Sequence, residues 1–231
     1  MIAPLVASDA TSIGEVIERL QTIDGALPLT DGVAWFTKLY LSVTEAVQET
    51  LSPVAFQHPA FVARLDIVFA NLYFQALRGP AGLSKAWAPL IEARSDTRIA
   101  PIQFALAGMN AHINRDLPVA LVSTCAELEI DLAAARREHA DFLRVNTVLA
   151  ATEERVKRWF ATDFLAVLDH AFGNVDDRIA MWKVERAREA AWVQGQTLWA
   201  LRAVPSLLTA HLETLDHIVG FAGRGLLVPL D

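Results

Sequence analysis

Apolar and polar positions follow one another along this chain with the period of a helix, and over no useful length with the period of a strand. In TDGVAWFTKLYLSVTEAVQ, Val33, Phe36, Tyr40, Val43 and Val47 fall on one stripe, with Thr30 or Asp31 placed to cap the start. HPAFVARLDIVFANLYFQALRG opens with Pro59 in a first helical turn and stops at Gly79. A loop at GPAGLSKAW leads into a shorter segment ending near Arg94. A central helix is predicted from about Ile99 to Arg115. Pro118 must kink or restart it, because proline has no N–H to continue the ladder. From Val119 to Phe172 there is neither glycine nor proline, a stretch too long for one globular helix, so two or three are expected, with a new start near Thr152. DDRIAMWKVERAREAAWVQGQTLWALRA reads as an amphipathic helix, and Pro205 opens the last one. There is no internal repeat and no low-complexity linker. The expectation is a single all-α domain over residues 1–231, with about seven to nine helices.

Composition narrows the setting. Hydrophobic residues make up 53% of the 231 and mean hydropathy is +0.31, an excess to be buried in a core, an oligomer interface, an apolar pocket or a membrane. The uncharged run Ile99–Asn114 is too short to span a bilayer and holds Pro101, Gln103, Asn110 and His112, so it is not read as a transmembrane helix. The first residues lack a basic region followed by a long apolar one, so a cytoplasmic protein is expected. Net charge is −7 with both signs interleaved, which excludes the basic footprint of a nucleic-acid binder. One cysteine, Cys125, excludes an internal disulfide and a multi-cysteine zinc site.

Against this apolar background NAHINRDLP stands out. His112 and Asp116 are four apart, on one face of a continuous helix, with Asn110 and Asn114 beside them. They fit a pair of ligands for one divalent metal ion, a histidine general base oriented by a carboxylate, or a direct ligand contact. They also fit a satisfied structural pair. Asp66 sits among Leu65, Ile67, Val68 and Phe69, with Tyr73 two turns along the same face. It is either exposed or buried with a cation, a metal or a proton. EHADFLRVN carries His139, Asp141, Arg144 and Asn146 and reads mainly as a solvated face, with Asn146 a candidate ligand contact. In VERAREAAWVQGQTLW, Arg186 near Trp182 and Trp192 suggests a ligand clamp or plain stacking. His211 and His217 do not complete a ferritin-like pattern, and no P-loop, H-E-x-x-H, G-x-S-x-G or G-x-G-x-x-G is present.

At DGVAWFTKLYLSVTEAV and GMNAHINRDLPVAL the chain resembles a bacterial family known only as a domain of unknown function, with D-G-x-x-x-F near the start and a central A-H-I-N-x-D-L. FANLYFQAL, the RVN at Arg144–Asn146 and AREAAW at Ala187–Trp192 extend the resemblance over most of the chain. It implies that Ala111, His112, Ile113, Asn114, Asp116 and Leu117 match a family hallmark, and implies no activity. His112 and Asp116 followed by a proline are also similar to the H-x-x-x-D step of all-α zinc-dependent phospholipase C and nuclease enzymes. The chain departs from that group in lacking its N-terminal tryptophan and its further closely spaced histidines.

Beside a structural or interaction protein in which NAHINRDLP is a core hydrogen-bond network fixing the helix kink, two functional expectations follow. One is a small-molecule enzyme with a helix-lined apolar pocket over a polar floor of Asp66, Tyr73, His112, Asn114 and Asp116. In its metal version His112, Asp116 and Asp66 hold one divalent ion for hydrolysis. In its metal-free version His112 is the base, with Tyr73 or Asn114 steadying negative charge, which suits cyclisation or isomerisation. The other is a non-catalytic binder of a small apolar molecule such as a lipid, isoprenoid or polyketide, with Asp66, Asn110, Asn146, Arg186 and Trp192 as ligand contacts. A homodimer is compatible with the apolar excess.

Overall fold

Helix starts are set by local chemistry. The computed structural model describes residues 2–52, 54–80, 83–159 and 184–229. The Ser12 hydroxyl accepts the Glu15 N–H at 3.1 Å and caps α1 (Ile13–Ala26). Asp31 accepts the Val33 N–H at 3.0 Å and caps α2 (Gly32–Thr50), while its carboxylate also takes two hydrogen bonds from Arg94 Nε at 3.0 Å. Pro59 opens α3 (Pro59–Leu77). There follow α4 (Ala88–Ala93), α5 (Pro101–Ala111), α6 (Leu117–Glu127), α7 (Arg136–Trp159), α8 (Val184–Leu201) and α9 (Pro205–Leu226).

A π-turn, His112–Asp116, joins α5 to α6 into one continuous rod. Pro118 cannot donate to the Asn114 carbonyl, and its ring would collide with it. The rod widens instead, and the Leu117 N–H donates to the His112 carbonyl, five residues back. The kink expected at the proline is thus a swelling one turn before it. Counting the rod once, the described residues form eight helical runs and no strand, an all-α architecture within the expected seven to nine helices.

One expected boundary is displaced. No helix starts at Thr152, since α7 runs through it and the Thr152 hydroxyl donates to the Val148 carbonyl at 3.1 Å. The break lies between α6 and α7, where Glu129 adopts φ 55° just past the end of α6, and Asp131 accepts the Ala133 N–H at 3.1 Å and the Trp199 indole at 2.8 Å. The rest of the glycine-free stretch, to Phe172, and Trp182 lie outside the described residues.

Two large apolar clusters, and a small third of Ile13, Ile17 and Ile67, form the interior. The first gathers Val16, Leu20 and Ile23 of α1, Phe36 and Tyr40 of α2, the second half of α3, Trp87, Leu90, α5, and Leu215 and Val219 of α9. The second gathers Val47 of α2, Phe61 and Leu65 of α3, Leu117 and Leu121 of α6, Phe142 of α7, and Trp192 and Trp199 of α8. The α5–α6 rod, α2 and α3 run through both, and Phe69 packs against both. Among the described helices α3 is long and apolar enough to cross a bilayer, and 56% of its apolar window is buried inside the protein. The π-turn falls at the junction of the two clusters.

Candidate functional site

The π-turn directs His112 and Asp116 inward, at 2% and 0% exposure. Three donors converge on the Asp116 carboxylate. The His112 Nδ1–H reaches Oδ2 at 3.1 Å, the Trp87 indole N–H reaches Oδ2 at 2.8 Å, and Arg115 reaches Oδ1 at 3.0 Å. Arg115 Nε also lies 3.3 Å from Asp216 of α9, which accepts the Lys85 N–H at 2.7 Å. A carboxylate is an acceptor, so the proton of the imidazole is on Nδ1 and the lone pair is on Nε2.

Rings enclose that imidazole. Phe69 stacks on it with centroids 3.4 Å apart and planes at 6°, and Tyr40 meets it edge-on at 4.6 Å. Phe36, Trp87 and Tyr73 stand at 5.6, 5.8 and 6.1 Å. Burial in this cage pushes the pKa of His112 below its ordinary value, outweighing the opposing pull of Asp116. His112 is therefore a neutral base at pH 7, and its Nε2 makes no hydrogen bond within the protein.

Beyond Tyr40 the polar seam continues. The Tyr40 hydroxyl lies near Thr44 yet makes no hydrogen bond of ordinary geometry. Burial, and next the charge of Asp66, drive its pKa upward. Asp66 lies one turn before Phe69 on α3, and its Oδ2 is buried without a partner. Burial raises its pKa to about 7 against the pull of Arg188. Arg188 of α8, 7% exposed, donates to Asn146 Oδ1 at 2.8 Å and to the Phe142 carbonyl at 2.9 Å, with its guanidinium carbon 4.1 Å from the Phe142 ring centre. The Asn146 Nδ2 is buried without an acceptor. Four buried polar atoms, on α2, α3, the π-turn and α7, are thus left unpaired along one seam. Proteins seldom tolerate that except where water or a ligand completes the set.

The other candidates from the sequence are placed differently. Tyr73 shares the aromatic cage, but its hydroxyl pairs with Thr37 Oγ1 at 2.7 Å, and Thr37 donates on to the Val33 carbonyl, so Tyr73 is a satisfied core tyrosine. Asn110 donates to the Val219 carbonyl at 2.9 Å and accepts from Asn114 at 3.0 Å, which ties α5 to α9. Asn114 and Ile113 face a groove of about 370 Å³ lined by Leu106, Met109, Ala187 and Leu226. His112 and Asp116 do not line it. Arg186 is exposed, and Trp182, its expected neighbour, lies outside the described residues. Two residues on, Arg188 occupies the buried phase of α8. Trp192 is a core residue stacked on His139 at 4.5 Å.

The segment expected to be solvated is partly buried. Asp141 is fully buried and accepts the N–H groups of Gln57 and His58 at 2.9 and 2.6 Å, fixing the entry to α3. Among the described residues no three His, Cys, Asp or Glu side chains come together to hold a metal ion, so the expected set of His112, Asp116 and Asp66 is not assembled. Asp116 is already surrounded by donors and Asp66 acts on Arg188. Cys125 is buried, with its thiol pushed up to about 12.

Sequence reasoning passed over Tyr40, Phe69, Trp87 and Arg188. Tyr40 was visible as a member of the α2 stripe. Arg188 was visible as the residue in phase with Trp192, Gly195 and Trp199.

Other residues that carry the resemblance have local structural roles. Asp31 caps α2, and Gly32 lies so close to the Phe104 ring that an added Cβ would overlap it. Phe36 and Phe69 build the cage, and Asn71 bonds both ways to the Ala10 backbone at 2.7 and 2.9 Å. No curated protein and no solved structure matches the chain. Residues 13–229 match the model of a family of unknown function, DUF5995, and the chain belongs to that family.

Proposed function

We propose that the chain is a small-molecule enzyme in which His112 serves as a general base without a metal ion. The observation that carries this is the Nε2 of His112, a buried and neutral nitrogen with its lone pair unengaged and its ring fixed from behind by Asp116. In this reading Tyr40, whose hydroxyl is unpaired beside His112, takes the role expected of the Tyr73 hydroxyl or the Asn114 amide and donates to charge that develops when a proton leaves the substrate. A base that takes a proton and returns it in a cage of rings suits isomerisation or cyclisation better than metal-assisted hydrolysis.

The test is a comparison of wild type with His112→Gln, each incubated in deuterated water with a small-molecule extract of cells and read by mass spectrometry. Wild type is expected to label or convert at least one compound, and the folded variant to do so at least about a hundredfold more slowly. Identical profiles from the two proteins would overturn the reading.

The groove of about 370 Å³ favours a second reading, a binder of a small apolar molecule resting on Ile113 and Met109. Gly225 lines that groove, and an added Cβ there meets nothing within 4 Å. Native mass spectrometry separates the two. A ligand retained by wild type and His112→Gln, lost in Gly225→Leu and never converted would support the binder.

A further inference from the structure

Arg188 is a guanidinium buried at 7% exposure, and among the described residues the acceptors it holds, Asn146 Oδ1 and the Phe142 carbonyl, are both neutral. A buried cation is costly without an anion beside it. The carboxyl that acts on it, Asp66, is half-buried with its Oδ2 shut off from solvent, and the loss of hydration raises its pKa to about 7, so it does not supply a full negative charge. Next to the guanidinium the Asn146 Nδ2 offers N–H donors with no acceptor. Donors and positive charge are therefore in surplus at one end of the seam, and a lone basic nitrogen stands at the other.

We infer that Arg188 and Asn146 form a receptor for a small carboxylate-bearing molecule, held against Tyr40 with its reacting carbon toward His112. A planar carboxylate matches the guanidinium fork and brings the one negative charge that Arg188 needs. A dianion such as phosphate would exceed that charge. As a substrate site this rests on His112 being the base; as a binding site it stands by itself.

Isothermal titration with acetate, propionate and benzoate, and with inorganic phosphate, at constant ionic strength in chloride, tests it. At least one carboxylate is expected to bind saturably. Arg188→Met is expected to weaken it by about tenfold or more, the worth of a charge-assisted hydrogen bond. Asn146→Leu removes the amide donors while leaving the cation in place, so it reads the same site if Arg188→Met does not fold. No saturable carboxylate binding, binding unchanged in both receptor variants, or phosphate held more tightly than every carboxylate would each overturn the receptor. The two readings fail separately: conversion that depends on His112 without carboxylate binding removes the receptor alone, and carboxylate binding without any conversion removes the enzyme alone.

Discussion

Asp66 and His112 sit one ring apart, and their burial acts on stability in opposite directions. For Asp66 the folded chain holds its proton to about pH 7, while an unfolded carboxyl releases it near 3.8. Its contribution is fully present below about pH 4 and is lost as pH rises toward 7. His112 has the reverse sign. Its folded pKa lies below the ordinary 6.5, so the unfolded chain takes up a proton first and stability falls as pH drops below that value. Below pH 6.5, for as long as His112 stays neutral in the fold, the two slopes oppose each other, and the wild-type urea midpoint should vary little there on their account. Asp66→Asn removes one slope. Its midpoint should exceed that of wild type at pH 8, by an amount on the order of a few kcal/mol in stability, and should fall more steeply as the solution is acidified. An Asp66→Asn curve parallel to wild type from pH 4 to 8 would mean that Asp66 titrates normally and that the seam is wet.

At the scale of the helices, the site depends on how closely α5 approaches α2. An added Cβ on Gly108 would overlap the ring of Phe36, and Phe36 has no room to retreat, since Tyr73, Trp87 and His112 lie 5.0, 5.3 and 5.6 Å from it. Gly108→Ala is expected to cost about 1–3 kcal/mol. Gly25→Ala in α1, with nothing within 4 Å of the new methyl, should be neutral or slightly stabilising. Urea melts of the two variants check this, and equal midpoints would show that the helices can slide apart. The periodic stripe made α2 and α3 legible, and proline placed the disturbance in the rod within one turn. The α6–α7 break was not legible, because it is made by Glu129 in a left-handed conformation and by Asp131 reaching Trp199, contacts that leave no glycine or proline in the sequence. The polar pair of the π-turn was legible as an anomaly. Tyr40 and Arg188 were not read as chemistry, because whether a tyrosine hydroxyl is paired or an arginine is buried is settled by helices distant in the chain.

Across the whole molecule, the seam joins two apolar clusters that share three long elements, so a lesion in one should be felt in the other. Trp87 belongs to the first cluster, and its indole N–H is one of the donors that hold Asp116. Trp87→Phe keeps most of the ring and deletes that donor, leaving a buried carboxylate short of a partner at an expected cost of about 1–3 kcal/mol. Asp116 then restrains Arg115 and His112 less firmly, yet no residue of the second cluster loses a contact of its own. Native-state hydrogen exchange distinguishes local from global loss. If the rod, α2 and α3 bind the clusters into one cooperative unit, the slowest amides around Trp192 in α8 and Phe142 in α7 should lose the same protection in Trp87→Phe as those around Leu90 and Phe104. Protection lost in the first cluster alone would mean that the two open independently, with the π-turn as the hinge between them and His112 uncovered whenever the first cluster opens.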